Sequence, residues 1–128
     1  MKKKLNEVET ESVLEVIQRF NAAFNLHDIE AVMGLMTEDC LFENTYPPPD
    51  GERFHGQAAV RAYFQSFFQD SPQANFEFGD LFACGERACV RWTYRWAESD
   101  GRPGYVRGVD VFRLKDGKVA EKLSYVKG

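Results

Sequence analysis

The chain reads as an α+β domain, and three observations predict it. Its first half carries apolar residues at helical spacing, and its second half carries alternating strand patterns. A strong hairpin signal, Lys115-Asp116-Gly117-Lys118, separates the last two strands. The 128 residues fit one domain over 1–128, with residues 1–9 expected to fray. No repeat, linker or low-complexity stretch divides it.

The first helix is expected from about Thr10 to Leu26. Val13, Val16, Ile17, Phe20 and Phe24 form its apolar stripe, and Ser12 to Glu15 reads as a capping box. Asn25-Leu26-His27-Asp28 breaks the pattern. Asp28 then suits the N-cap of a short helix from Ile29 to about Met36. Thr37-Glu38-Asp39 reads as a connector and Cys40 to Thr45 as a first strand. Pro47-Pro48-Pro49-Asp50-Gly51 ends that strand, because proline cannot donate to a ladder and Asp-Gly favours a turn. Arg53-Phe54-His55 suits a short strand. Gly56 opens a third helix, Gln57 to about Gln69, with Val60, Phe64, Phe67 and Phe68 as its apolar face.

Four strands follow. In the first, Phe76, Phe78 and Phe82 share one parity, which Asp80 interrupts, and Gly79 suits a bulge. The second alternates most clearly: Val90, Trp92, Tyr94 and Trp96 against Arg91, Thr93 and Arg95. The third runs from Tyr105 to Leu114 and the last from Val119 to Val126.

Composition bounds the function. The chain is 44% hydrophobic and 14% aromatic, enough for a filled core or a ring-lined cavity. A net charge of −4 argues against nucleic acid, since binding phosphates needs a basic face. No apolar run approaches the roughly 20 residues that span a bilayer, and Lys2-Lys3-Lys4 leads into no signal-peptide core. A cytoplasmic protein is the expectation. Cys40, Cys84 and Cys89 have no paired spacing, which argues against a disulfide scaffold. With only His27 and His55 besides, no metal is expected, and no cofactor.

One residue stands out chemically. Asp110 lies within Arg107-Gly108-Val109-Asp110-Val111-Phe112-Arg113-Leu114. A carboxylate centred in an apolar strand is costly to bury without a partner, so it marks either a working site or the solvent face of the strand.

Specific residues also carry a family resemblance. They are Phe20 to Ala31, Phe42-Glu43-Asn44, His55-Gly56, Gly108 to Phe112, and Asp116-Gly117-Lys118-Val119. From about Val13 to Tyr125 the chain resembles the nuclear-transport-factor-2-like superfamily, in its SnoaL-like and ketosteroid-isomerase-like branch. The resemblance implies three helices and a curved antiparallel sheet wrapped around the long first helix, with a cone-shaped apolar pocket. It implies a small hydrophobic ligand among Phe20, Phe24, Asn44, Tyr46 and Trp92, with Tyr94, Trp96, Phe112 and Lys122. Tyr46 and the proline loop suit a lid.

The resemblance places Asp110 where ketosteroid isomerases hold an oxyanion-binding aspartate. Asn44 stands where their base should be and Phe20 where their tyrosine should be. An amide has no useful basicity and a phenyl ring donates no hydrogen bond, so ketosteroid isomerisation does not fit. Glu43 replaces the base only if the strand bulges. A SnoaL-like ring closure needs one acid/base carboxylate, which Asp110 could supply. An epoxide-hydrolase-like site would need an inward Arg beside two aspartates, but Arg107 and Asp110 have opposite parities.

The state of Asp110 turns on a register. A three-residue loop would set Lys122 opposite it and make it an anion, whereas a two-residue loop would set Leu123 there and let it stay protonated. His55, at the expected pocket rim, is a second acid/base candidate. Arg91, Arg95 and Arg107 should face outward with Val109, Val111, Val119, Leu123 and Tyr125. The resemblance covers that face with a second subunit, hence a homodimer. Two main readings follow: an isomerase, cyclase or dehydratase on a hydrophobic carbonyl substrate, or a non-catalytic ligand-binding or protein-interaction module. A purely structural dimeric domain is the third.

Overall fold

The structure, a computed structural model, describes the backbone of residues 2–128 and side chains from residue 12 onward. The fraying expected over 1–9 falls outside the described side chains. Among the described residues, three helices, α1 (Lys2–Asn25), α2 (Ile29–Gly34) and α3 (Gln57–Asp70), accompany six strands. The strands are β1 (Met36–Glu43), β2 (Arg53–His55), β3 (Phe76–Cys84), β4 (Arg87–Ala97), β5 (Pro103–Lys115) and β6 (Lys118–Val126).

The expected cone is not formed. The strands make one open six-stranded sheet in the order β2-β1-β6-β5-β4-β3, with β2 and β3 as unjoined edges. Nor is it wholly antiparallel, because β1 runs parallel to β6. Helices α1 and α3 lie on one face. Between them and the sheet sits the core, where Ile17, Phe20, Val60, Phe64, Phe112 and Val119 have no exposed surface. Burying each such side chain contributes about 1.5–3 kcal/mol.

Helix α1 starts earlier than expected, so Ser12 lies in its interior and caps nothing. Its end is set by His27, whose φ of 56° turns the chain while the Asp28 N–H reaches back to the Ala23 carbonyl at 3.1 Å. The His27 ring is structural: it bonds the Ala74 carbonyl at 2.8 Å and stacks on Phe68. The Asn25 amide clamps α1 to β3, donating to the Phe76 carbonyl and accepting from its N–H, both at 2.9 Å. Asp28 caps α2 as expected, accepting from the Ala31 N–H at 3.1 Å. That helix stops at Gly34 rather than Met36, because Met36 enters β1 opposite Val119. The expected connector Thr37-Glu38-Asp39 is therefore strand.

The sheet's registers decide which side chains face the helices. Between Phe78 and Leu81 the pairing of β3 with β4 slips, at the bulge expected from Gly79. That slip turns Leu81 and Ala83 inward and sends Phe82 outward, to 61% exposure. The β5–β6 hairpin has a two-residue turn, with Asp116 and Gly117 both at positive φ and Lys115 opposite Lys118. A second slip follows, because Leu114 pairs with Val119 but Arg113 with Glu121. Ala120 is the extra residue. Neither expected register holds: Asp110 lies opposite Ser124, and Phe112 opposite Lys122. The same bulge buries Val119, which was expected on the outer face.

Candidate functional site

Asp110 points inward from β5 and is 4% exposed. Three donors converge on it. Trp92 Nε1–H from β4 donates to Oδ1 at 3.0 Å, and the Ser124 hydroxyl from β6 donates to the same oxygen at 2.6 Å. Lys122 Nζ lies 3.3 Å from Oδ2 and 3.3 Å from Ser124 Oγ. Lysine and indole nitrogens only donate, so the carboxyl serves as acceptor and counter-ion rather than as a neutral donor. That arrangement removes the oxyanion-donor role the resemblance offered.

Lys122 reaches Asp110 diagonally, from the position opposite Phe112. Its ammonium also stands over the rings of Phe42 and Phe24, 4.8 and 5.5 Å from their centroids. The aliphatic stem is buried with those rings, and the charge is balanced by one carboxylate.

Asn44, just past β1, is 6% exposed. Its Oδ1 accepts from the Glu52 N–H at 2.7 Å, and its backbone N–H donates to the Glu52 carbonyl at 3.0 Å. The intervening loop folds back through the Gly51 N–H, which donates to the Pro47 carbonyl at 2.8 Å. Gly51 has φ +70°, and a Cβ there would fall 2.0 Å from the Asn44 carbonyl oxygen. Only glycine allows that approach.

These groups share a cavity of about 100 Å³ beneath α1 and α3, with Phe24, Phe42, Phe67 and Phe76 as its apolar walls. It adjoins a wider space of about 380 Å³ lined by Tyr94, Trp96 and Val106. Thr45, Phe67, Phe76 and Trp92 border both. A larger hollow of about 650 Å³ lies across the outer face, among Arg91, Arg107, Val109 and Tyr125. We place the site in the smaller cavity, because the buried polar cluster is there. Among the described residues, no group of three or more metal-ligating side chains occurs.

The expected site residues divide. Asp110, Asn44, Trp92, Lys122 and Phe24 line the inner cavity, and Tyr94 and Trp96 the wider space. Phe20 and Phe112 do not line either: they are core, packed edge to face at 5.8 Å. Tyr46 is 74% exposed and lines neither of these two cavities. His55 is exposed on edge strand β2, opposite Leu41, and lines none of these three spaces. Ser124 and Tyr63 line the cavity without having been anticipated. Ser124 shares parity with Lys122 two residues earlier, a signal that was present once Lys122 was read as inward.

The outer face matches expectation except for Val119. Arg91 pairs with Asp80 at 3.1 Å and Arg95 with Glu77 at 2.8 Å, all on the solvent side. Val109, Val111 and Leu123 are half-buried there and Tyr125 is 50% exposed. Cys89 lies on that face too, its thiol pushed up first by burial and then by the Asp110 charge. No described helix is long and apolar enough to cross a membrane.

Known proteins resemble this chain in sequence and fold. Residues 17–122 match the SnoaL-like domain family. A nuclear-transport-factor-2-like protein of unknown function from Mesorhizobium loti is 39% identical, over 94% of each chain, with a TM-score of 0.79. Two more distant structures show the same fold. One is the epoxide hydrolase/cyclase-like enzyme SalBIII of pyran ring formation in salinomycin, 22% identical over 91% of this chain and 92% of that one, TM-score 0.77. The other is a candidate polyketide cyclase from Xanthomonas campestris pv. campestris, 20% identical over 93% of each, TM-score 0.75. No curated protein matches the chain.

Proposed function

This chain belongs to the SnoaL-like family of the nuclear-transport-factor-2-like superfamily, and from that premise we propose that it binds a small hydrophobic carbonyl compound and moves a proton on it. Asp110 is the base. Its Oδ2 takes a proton from the carbon beside the carbonyl, the C–H electrons form an enolate, and the proton returns elsewhere on the product. Isomerisation, ring closure and dehydration all begin with that abstraction and need no cofactor; in dehydration the enolate expels a β-hydroxyl, and the proton leaves with it as water. Ketosteroid isomerisation is set aside, because Asn44 and Phe20 stand at the positions of its base and tyrosine.

The observation that supports this reading is a buried carboxylate in the wall of a mostly apolar cavity. Relatives of the same fold are cyclase-like enzymes by description, which is consistent with it. The test is hydrogen–deuterium exchange of ketone α-protons in D₂O, followed by proton NMR across a panel of aryl ketones. Asp110→Asn should abolish any exchange above the buffer rate. Equal exchange by wild type and variant would remove Asp110 as the base.

A second reading has its own support. Both Asp110 oxygens already hold donors, so a ligand must compete with Trp92, Ser124 or Lys122 to reach them. That favours a non-catalytic binding module. Tight ketone binding with no exchange would select it.

The homodimer belongs to the same proposal. Val109, Val111, Leu123 and Tyr125 present apolar surface on the outer sheet face, which a second copy would cover. Sedimentation velocity should give a dimer for wild type and a monomer for Leu123→Arg. A monomeric wild type refutes it.

A further inference from the structure

We infer that the cavity selects ligands by a neutral acceptor head, a carbonyl oxygen held between Lys122 Nζ and Asn44 Nδ2. This rests on the cavity being a binding site, and not on proton transfer at Asp110.

The cavity's hydrogen-bonding groups can be accounted for one by one. Asp110 Oδ1 accepts from Trp92 and Ser124, and Oδ2 faces Lys122. Ser124 Oγ accepts from Lys122, and Asn44 Oδ1 accepts from Glu52. Acceptors facing the cavity are therefore engaged. Two donors are left over. Lys122 has three N–H groups and faces two acceptors, Asp110 and Ser124. Asn44 has no acceptor for Nδ2 among the described residues, although it is more than nine-tenths buried and lines the cavity. The Glu52 N–H needs an acceptor, which fixes the amide with Oδ1 toward the loop. Among the described residues the one fully buried side-chain polar atom without a partner is Thr37 Oγ1, so Asn44 Nδ2 is open to the cavity, and a ligand oxygen would take the place of solvent there. The hydroxyls of Thr45 and Tyr63 can play either role, so they do not select.

Charge decides which acceptor. Asp110 and Lys122 are the charged residues in this lining, and they balance each other. A ligand carboxylate would enter beside Asp110 with no second cation to offset it. A ketone or enone oxygen adds no net charge. The inner space of about 100 Å³ suits such a head, and the adjoining space along Tyr94 and Trp96 suits a flat apolar body.

Three matched probes test this: 2-acetylnaphthalene, 2-ethylnaphthalene and 2-naphthoate, measured by equilibrium dialysis. The ketone should bind at least about tenfold tighter than either of the others. Asn44→Asp keeps the acceptor for Glu52 but loses the donor, and it should bring the ketone-to-hydrocarbon ratio toward one. Lys122→Met should do the same. Because that variant loses stability, a measurement on wild type accompanies it. The infrared stretch of the bound, carbonyl-labelled ketone should lie below its value in hexane. A ketone bound no tighter than the hydrocarbon, or an unshifted stretch, overturns the inference and leaves the binding reading intact. Tightest binding of naphthoate overturns the neutral head. If none of the three binds, the cavity reading falls with it.

Discussion

Replacing Lys122 by methionine tests what holds Asp110 in the sheet. The two charged groups lie 3.3 Å apart, with their side chains 9% and 5% exposed. At an effective dielectric of about 20, that separation corresponds to an attraction of about 5 kcal/mol. The variant loses it, yet Asp110 keeps its bonds from Trp92 and Ser124. The expected cost is therefore about 3–5 kcal/mol, most of it from leaving a buried carboxylate without its cation. A domain of this size has about 5–15 kcal/mol to lose, so the variant should be marginal and melt at least about 10 °C lower. Equilibrium urea unfolding, followed by tryptophan fluorescence and far-UV circular dichroism, measures it. The control is Asp110→Leu with Lys122→Met, which removes both charges. It should recover most of the loss, since an apolar pair of similar volume often substitutes for a buried ion pair. A single variant within about 1 kcal/mol of wild type would refute this account of the pair. So would a double variant no better than the single.

Three further outcomes are expected. Gly51→Ala should cost at least about 2 kcal/mol in urea unfolding and weaken ketone binding, because positive φ and the approach to Asn44 both resist a Cβ; wild-type stability would contradict the loop's role. Asn25→Leu should cost about 2 kcal/mol, since it strips both bonds from the Phe76 backbone, and slow-exchanging amides in β3 should lose protection. In thiol titration at pH 8, Cys84 should react at once and Cys40 only on unfolding. Burial raises the Cys40 thiol above its usual range, so less thiolate is present at a given pH, and accessibility is low as well. Similar rates at the two positions would show that Cys40 is not buried.

Much of the architecture was legible because it repeats locally. The β4 alternation is legible because side chains alternate with period two, and the buried Ala88, Val90 and Trp92 follow it. Asp28 is legible as a cap because a short acidic side chain before an apolar run satisfies a free amide. Thr37-Glu38-Asp39 was not legible as strand: its side chains are mostly exposed, and its strand form comes from the sheet around it. The parallel pairing of β1 with β6 joins residues far apart in sequence, so no local pattern carries it. Of the site, Asp110 was found as a carboxylate within an apolar strand, Trp92 by the alternation of its strand, and Asn44 through the family resemblance. Tyr46 shares parity with Asn44 but lies beyond the end of β1, in a loop where strand alternation no longer applies.

What the chain's order of residues determined by itself was the class of fold, three helices with strands of known faces, and a carboxylate too costly to bury alone. Those follow from local periodicity and from the energetics of single side chains. The tertiary structure decided that the sheet stays open rather than closing into a cone. It also decided the company Asp110 keeps. Ala120 is an ordinary residue, and nothing in its type announces that it is left out of the β5–β6 pairing. Yet that one unpaired residue shifts the register of β6, sets Ser124 opposite Asp110, and lets Lys122 reach the carboxylate from the diagonal. A bulge is stabilised by the packing on both sides of it, here the burial of Val119 and Ala120 against the core, and only the folded chain holds those contacts.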